Sequence, residues 1–174
     1  MQKTMKYVIF RTKWGYFGLA GTDSGLCRTY LPMPERGKIE SRILKNLPEA
    51  KFDKSYFKNL QEKILAYFDG ENINFGADIP VTLNGFRGFS RRVLTVCRDI
   101  KFGQKTTYAG LAKKAGGPNA GRAVGNALAR NPLPLIIPCH RIIRSDGNLG
   151  GFSAPGGINL KKRLLMHEQS HRNQ

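Results

Sequence analysis

Residues 107–130 read Thr-Tyr-Ala-Gly-Leu-Ala-Lys-Lys-Ala-Gly-Gly-Pro-Asn-Ala-Gly-Arg-Ala-Val-Gly-Asn-Ala-Leu-Ala-Arg. Thr107 is suited to cap a helix over Tyr108–Ala115, because its hydroxyl can accept an orphan backbone N–H. Gly116-Gly117-Pro118 makes a tight turn, and a second helix follows from about Asn119 to Arg130. Asn131-Pro132-Leu133-Pro134 stops it. Two helices joined by a short glycine-containing turn form a helix-turn-helix. The second helix is unusually bare. Gly121, Ala123, Gly125 and Ala127 surround Arg122, and each interior glycine costs roughly 1 kcal/mol relative to alanine. Two readings compete. The bare face packs tightly on another helix with Arg122 solvated, or it approaches a nucleic-acid groove. The surrounding positive charge favours the second.

Downstream, Leu135-Ile-Ile-Pro-Cys-His-Arg-Ile-Ile143 sets three polar residues between apolar pairs. A thiol buried there is inert unless a base or positive field activates it, and His140 and Arg141 are the nearby suppliers. In a regular strand, neighbouring side chains point to opposite faces. Contact between Cys139 and His140 therefore requires an irregular backbone or a bridging water, and Pro138 favours irregularity. A satisfied structural cysteine is the alternative. Metal binding competes poorly, because the only histidines are His140, His167 and His171 and no Cys-x-x-Cys accompanies Cys139.

The flanks complete an α/β (α+β) chain. Ser90 is placed to cap a helix to about Ile100, with Val93, Leu94, Cys97 and Ile100 on one face. Asn159–Glu168 reads as a last helix with Leu160, Leu164 and Leu165 inward. Before Asn84-Gly85, three short strands near 7–10, 14–20 and 25–31 suggest an antiparallel meander. A short helix is expected at 41–46 and a longer one from Asp53 to Phe68, ended by Asp69-Gly70. Ile79–Leu83 is an edge-strand candidate. The chain thus divides into residues 1–85 and 86–174.

Twenty-nine Lys and Arg against 12 Asp and Glu give 174 residues a net charge of +17. The second part holds sixteen of those bases and only Asp99, Asp146 and Glu168 as acids. Such a surface attracts polyanions, chiefly nucleic acid, through release of condensed counterions. A hydrophobic content of 40% argues against disorder, and no apolar run approaches the ~20 residues of a membrane span. The N-terminus lacks a signal-peptide pattern. Three scattered cysteines make no disulfide framework. An intracellular protein, not secreted and with no membrane partner, is expected.

Asn131-Pro-Leu-Pro-Leu-Ile-Ile-Pro-Cys-His-Arg141 resembles the active-site motif of the O6-alkylguanine-DNA alkyltransferases, the methylated-DNA–protein-cysteine methyltransferases. The likeness continues through Lys101-Phe-Gly, Thr107-Tyr108, Gly121-Arg-Ala-Val-Gly125, Gly150-Gly-Phe-Ser153 and Leu164-Leu-Met-His-Glu168. It implies an N-terminal ribonuclease-H-like subdomain with an antiparallel sheet and a helix, and a mostly helical C-terminal DNA-binding and alkyl-acceptor subdomain. The implied function is repair of O6-alkylguanine in double-stranded DNA by single-turnover transfer to Cys139, with O4-alkylthymine as a further candidate substrate. The protein would act as a monomer without metal or cofactor, in the cytoplasm, or in the nucleus of a eukaryote.

By resemblance, Cys139 is the acceptor, and His140, polarised by Glu168, withdraws its proton through water. Asn131 ties the helix-turn-helix to the acceptor loop. Tyr108 helps rotate the nucleotide and donates to the departing guanine. Arg122 fills the vacated stack, and Thr107, Gly121, Ala123, Gly125 and Ala127 meet the minor groove. Phe152, Ser153, Pro138 and Arg141 line the substrate pocket. Two departures stand out: Phe152 replaces a frequent Tyr, and Ala154-Pro-Gly-Gly157 is longer than in some members. The zinc ligands that some members carry in the first half are absent. A non-catalytic lesion-binding protein of the same fold is the alternative, although such relatives replace the acceptor cysteine.

Overall fold

A computed structural model describes residues 3–173. The expected mixed α/β class holds, and the chain forms two compact units. One comprises the residues up to Ile73 with Ala77–Asn84, and the other Asn74–Gly76 with Gly85 onward.

In the first unit, β1 (Lys6–Thr12), β2 (Gly15–Thr22) and β3 (Gly25–Met33) form the antiparallel meander. The alternation of side chains along β1 divides the core. Tyr7 and Ile9 join Ile39 and Ile43 of α1 (Arg36–Asn46). Phe10 packs instead on Phe17, which meets Phe68 of α2 (Lys58–Asp69). Gly15 is obligatory at the first hairpin: its φ is +124° and a Cβ there would lie 2.6 Å from the Met33 carbonyl oxygen.

The antiparallel sheet gains one parallel edge not anticipated from the sequence, β4 (Lys51–Phe52), which pairs with β1 in the order β3-β2-β1-β4. One expectation for this unit is corrected. The long helix begins at Lys58 and not at Asp53. The Asp53 N–H still donates to Tyr7 O (2.8 Å) as an extension of the β1–β4 ladder, and its carboxylate caps only the turn at Ser55. Residues 79–83 contribute a single parallel bridge, Val81 to Leu26.

In the second unit, α3 (Gly88–Arg98), α4 (Tyr108–Lys114) and α5 (Gly121–Ala129) pack together around Val93, Leu94, Cys97, Leu111, Val124 and Leu128. Thr107 caps α4 by accepting the Gly110 N–H at 3.0 Å. Two dipeptide strands not anticipated from the sequence, β5 (Thr106–Thr107) and β6 (Ile142–Ile143), pair in parallel. This pairing fixes the start of α4 beside the chain just beyond Cys139. The last helix, α6 (Gly157–Ser170), presents Lys161, Leu164 and Glu168 inward. Leu160 and Leu165, expected at the centre of that face, are half-buried on its flanks. The face is rotated because it serves a buried polar cluster as well as the apolar core. Among the described residues, no helix is long and apolar enough to cross a membrane.

Candidate active site

The segment after α5 is shaped by Asn131. Its Oδ1 accepts the Leu133 N–H (3.0 Å) and its Nδ2 donates to Ile137 O (2.9 Å). Leu135 turns the chain with φ +77°, and Pro134 bridges to Ile137. The segment therefore folds back on itself and is buried through Leu133, Leu135, Ile136 and Ile137. Pro138 then leads into one 3-10 turn over Cys139–Arg141. This is the irregular backbone that lets consecutive side chains share one interior. Cys139, His140 and Arg141 are all buried.

Glu168 is the hub of that interior and only 1% exposed. One carboxylate oxygen lies 2.7 Å from His140 Nε2. Arg141 donates from Nε (3.0 and 3.2 Å) and from its second terminal nitrogen (2.9 Å). The Gly103 N–H adds a 3.1 Å bond. Arg141 spends a further N–H on Ile100 O at 2.5 Å. A buried charge is tolerated when it is paired and fully hydrogen-bonded, and this carboxylate meets both conditions.

Burial alone would raise the Glu168 pKa, but His140 and Arg141 outweigh it and hold the carboxyl well below the usual range. For His140, burial dominates and lowers its pKa from 6.5, assisted by the positive Arg141 and Lys161 and opposed by Glu168. The resting state is thus an ionised Glu168 and a neutral imidazole. An ionised carboxylate only accepts, so His140 Nε2 carries the hydrogen and Nδ1 is the basic nitrogen. Burial pushes the Cys139 thiol up, against hydrogen bonding from Asn131 and the field of Lys161. The thiol is therefore protonated at rest, with a base available in the adjacent residue.

The other expected residues divide into those this cluster gathers and those it does not. Tyr108 is half-buried at the start of α4, and a Cβ on Gly150 would lie 2.8 Å from its hydroxyl. The glycine loop at 150–153 thus lies against the Tyr108 ring. Phe152 is partly buried, while exposed Ser153 donates to Ala129 O at the end of α5 (2.9 Å). Arg141, expected in the substrate pocket, instead engages Glu168, because an interior carboxylate needs its fork. On α5, Arg122 and Ala123 are exposed, and a Cβ added to Gly121 or Gly125 would meet nothing within 4 Å. Packing within the chain does not require those glycines. Ala127, expected on the bare face, is buried with Val124 and Leu128 on the core side of the helix.

Comparison with known proteins follows the same lines. Residues 88–170 match the sequence profile described as 6-O-methylguanine DNA methyltransferase, DNA binding domain. The methylated-DNA–protein-cysteine methyltransferase of Methanosarcina acetivorans is 35% identical over 167 residues, covering 95% of this chain and 99% of the relative. The chain belongs to the methylated-DNA–protein-cysteine methyltransferase family. A Methanothermobacter thermautotrophicus member is 45% identical over 111 residues, 64% of this chain and 60% of its own length. The crystal structure of Mycobacterium tuberculosis OGT in complex with DNA superposes with a TM-score of 0.78 at 32% identity, covering 95% of this chain and 94% of that one.

Sequence reasoning missed three features of this candidate site. The Gly103 N–H on Glu168 had no signal beyond the Lys101-Phe-Gly match. The β5–β6 pairing is too short to register as periodicity. Lys161 is fully buried, yet it reads as a solvated lysine beside Lys162. Its only clue is the spacing 161, 164, 168, which places it on the same helical face as Glu168. Among the described residues, no group of three or more His, Cys, Asp or Glu could hold a metal ion.

Proposed function

We propose that Cys139 accepts, once and irreversibly, the alkyl group of O6-alkylguanine in double-stranded DNA. The observation that carries this reading is the buried Glu168–His140 pair at 2.7 Å beside a cysteine on the same 3-10 turn. His140 Nδ1 takes the thiol proton through water, and the imidazolium formed is stabilised by Glu168. The sulfur then forms a bond to the alkyl carbon as the carbon–O6 bond breaks, and the electron pair passes to the guanine. The Tyr108 hydroxyl is the candidate donor to that base. The product is a thioether, which water does not cleave, so each molecule acts once.

The open face of α5, with Gly121, Arg122, Ala123 and Gly125, supports close approach to a minor groove. There Arg122 would occupy the gap left by the extruded base. Asn131 supports the acceptor turn, and Phe152 and Ser153 flank the pocket. Residues 86–174 would form the DNA-binding and acceptor subdomain and residues 1–85 the ribonuclease-H-like one. A functional free thiol fits a reducing compartment, cytoplasm or nucleus.

Intact-mass measurement after incubation with duplex DNA containing O6-methylguanine tests the reading. One methyl-for-hydrogen exchange per protein, mapped to Cys139 and lost in Cys139→Ser, is expected. DNA binding without an adduct would instead identify a non-catalytic lesion binder.

A further inference from the structure

The mechanism so far leaves one buried charge unused. Lys161 lies within the second unit, and its Nζ donates to two backbone carbonyls, Ile142 O at 2.6 Å and Gly151 O at 3.4 Å. On another side, the nitrogen stands 5.7 Å from the centre of the Tyr108 ring. Each of these groups belongs to the acceptor site. The Ile142 N–H donates back to Cys139 O, closing the turn that carries the thiol. Gly151 belongs to the loop that lies against Tyr108. An apolar helix position could fill this volume with leucine or methionine at no desolvation cost, whereas a buried ammonium is expensive unless its charge is used.

We infer that Lys161 is a positioning residue of the alkyl-transfer site. Its ammonium pins the Cys139 turn and the Gly150–Ser153 loop to one point and supplies the fixed positive charge that stabilises the Cys139 thiolate. The two roles share one geometry. Carbonyl oxygens take two of the three N–H bonds and hold the nitrogen in place, and the charge acts across a buried interior where it is screened less than at the surface. The neighbours of Cys139 leave a need for such a cation. Arg141 is neutralised by Glu168, and His140 is neutral at rest. Tyr108 from α4 and Cys97 from α3 contribute no positive charge, and Asn131 offers only a dipole. Burial pushes the Lys161 pKa down and the Cys139 thiol up, and the interaction between the two opposes both shifts, as a cation beside a thiolate must.

The inference rests on Cys139 being the acceptor, but its test uses thiol chemistry that needs no DNA. Native protein is treated with iodoacetamide from neutral to alkaline pH, and the Cys139 adduct is resolved from those of Cys27 and Cys97 by peptide mass spectrometry. A lysine or other positive group beside a cysteine lowers its pKa by about one unit or more. Lys161→Met is therefore expected to move the Cys139 inflection up by at least about one pH unit. Lys161→Arg, which keeps the charge, should recover most of the shift. A merely structural lysine would alter the rate by one factor at every pH and leave the inflection in place, and that result overturns the inference.

A measurement on the unmutated protein guards against a variant that does not fold. With 13C-labelled lysine, the Lys161 Cε resonance should show an inflection at the pH where Cys139 titrates, and that inflection should vanish once Cys139 is alkylated. No such inflection would equally overturn the inference. Failure of alkyl transfer from DNA with both thiol results intact would count against the proposed reaction and not against the lysine's charge-setting role.

Discussion

At the scale of single residues, the proposed acceptor site depends on the protonation states of two neighbours. Glu168 is ionised because His140 and Arg141 overcome its burial, and His140 is neutral because burial overcomes Glu168. Both folded-state pKa values lie below their unfolded references of 4.5 and 6.5. Below each reference, the unfolded chain binds more protons than the folded one, so acid removes stability from both groups. The His140 contribution declines first, below pH 6.5, and the Glu168 contribution follows below pH 4.5. Glu168→Gln is expected to cost about 3–5 kcal/mol, because it leaves Arg141 buried without its counter-charge. It should also flatten the remaining loss of stability below pH 4.5. Urea midpoints between about pH 7 and pH 3 would measure both effects, and an unchanged acid slope in the variant would contradict the assignment of the charge to Glu168. The chemistry of these residues was readable from Pro138-Cys139-His140-Arg141, but their directions were not. Nothing in the local pattern distinguishes an Arg141 that lines a pocket from one that neutralises a carboxylate 27 positions away.

At the scale of elements, α5 carries an avoidable cost. Gly125 lies inside a nine-residue helix with open space where a Cβ would stand. Alanine there should therefore stabilise the free protein by about 0.4–1 kcal/mol. If the bare face exists for the minor groove, the same methyl group should obstruct DNA. Gly125→Ala is expected to raise the melting temperature, slow repair of O6-methylguanine in duplex DNA, and leave transfer from free O6-benzylguanine nearly unchanged. Stabilisation with unimpaired duplex repair would mean that the glycine does not serve the groove. This reading was half legible in the sequence. Gly121, Arg122 and Gly125 signalled a bare helix, but only three-dimensional packing could decide whether a neighbouring helix already filled the space. Ala127 shows the limit, since the same small-residue pattern puts it in the core. Elements with a long period were readable in type, including α3, α4 and the meander. The dipeptide strands β4, β5 and β6 were not, because their partners are distant in sequence and two residues carry no periodicity. The start of α2 was misread for a related reason: Asp53 has the chemistry of a cap, but its backbone extends the β1–β4 ladder and its carboxylate is taken up by Ser55.

At the scale of the whole molecule, the charge separates into a small interior part and a large exterior one. Of the sixteen bases beyond Gly85, Arg141 and Lys161 are buried, as is Glu168 among the three acids. Fourteen bases against Asp99 and Asp146 therefore remain outside that interior, so the buried charges scarcely reduce the field available for docking. Lys113 and Lys114 illustrate that exterior part. Both are exposed in the last turn of α4, the first helix of the helix-turn-helix, and in this motif that helix crosses the phosphate backbone. If each lysine neutralises one phosphate, each contributes about −0.9 to the slope of log affinity against log salt. The double variant Lys113→Ala, Lys114→Ala should then bind duplex DNA more weakly at low salt, with a slope shallower by about 1.8. Its transfer rate from free O6-benzylguanine should match that of the unmodified protein, because both side chains are exposed and neither takes part in the hydrogen bonds of Glu168 with His140, Arg141 and the Gly103 N–H. Titrations at several salt concentrations would decide the matter. An unaltered slope would remove α4 from the phosphate contacts, whereas an equal loss with the free base would indicate damage to the fold.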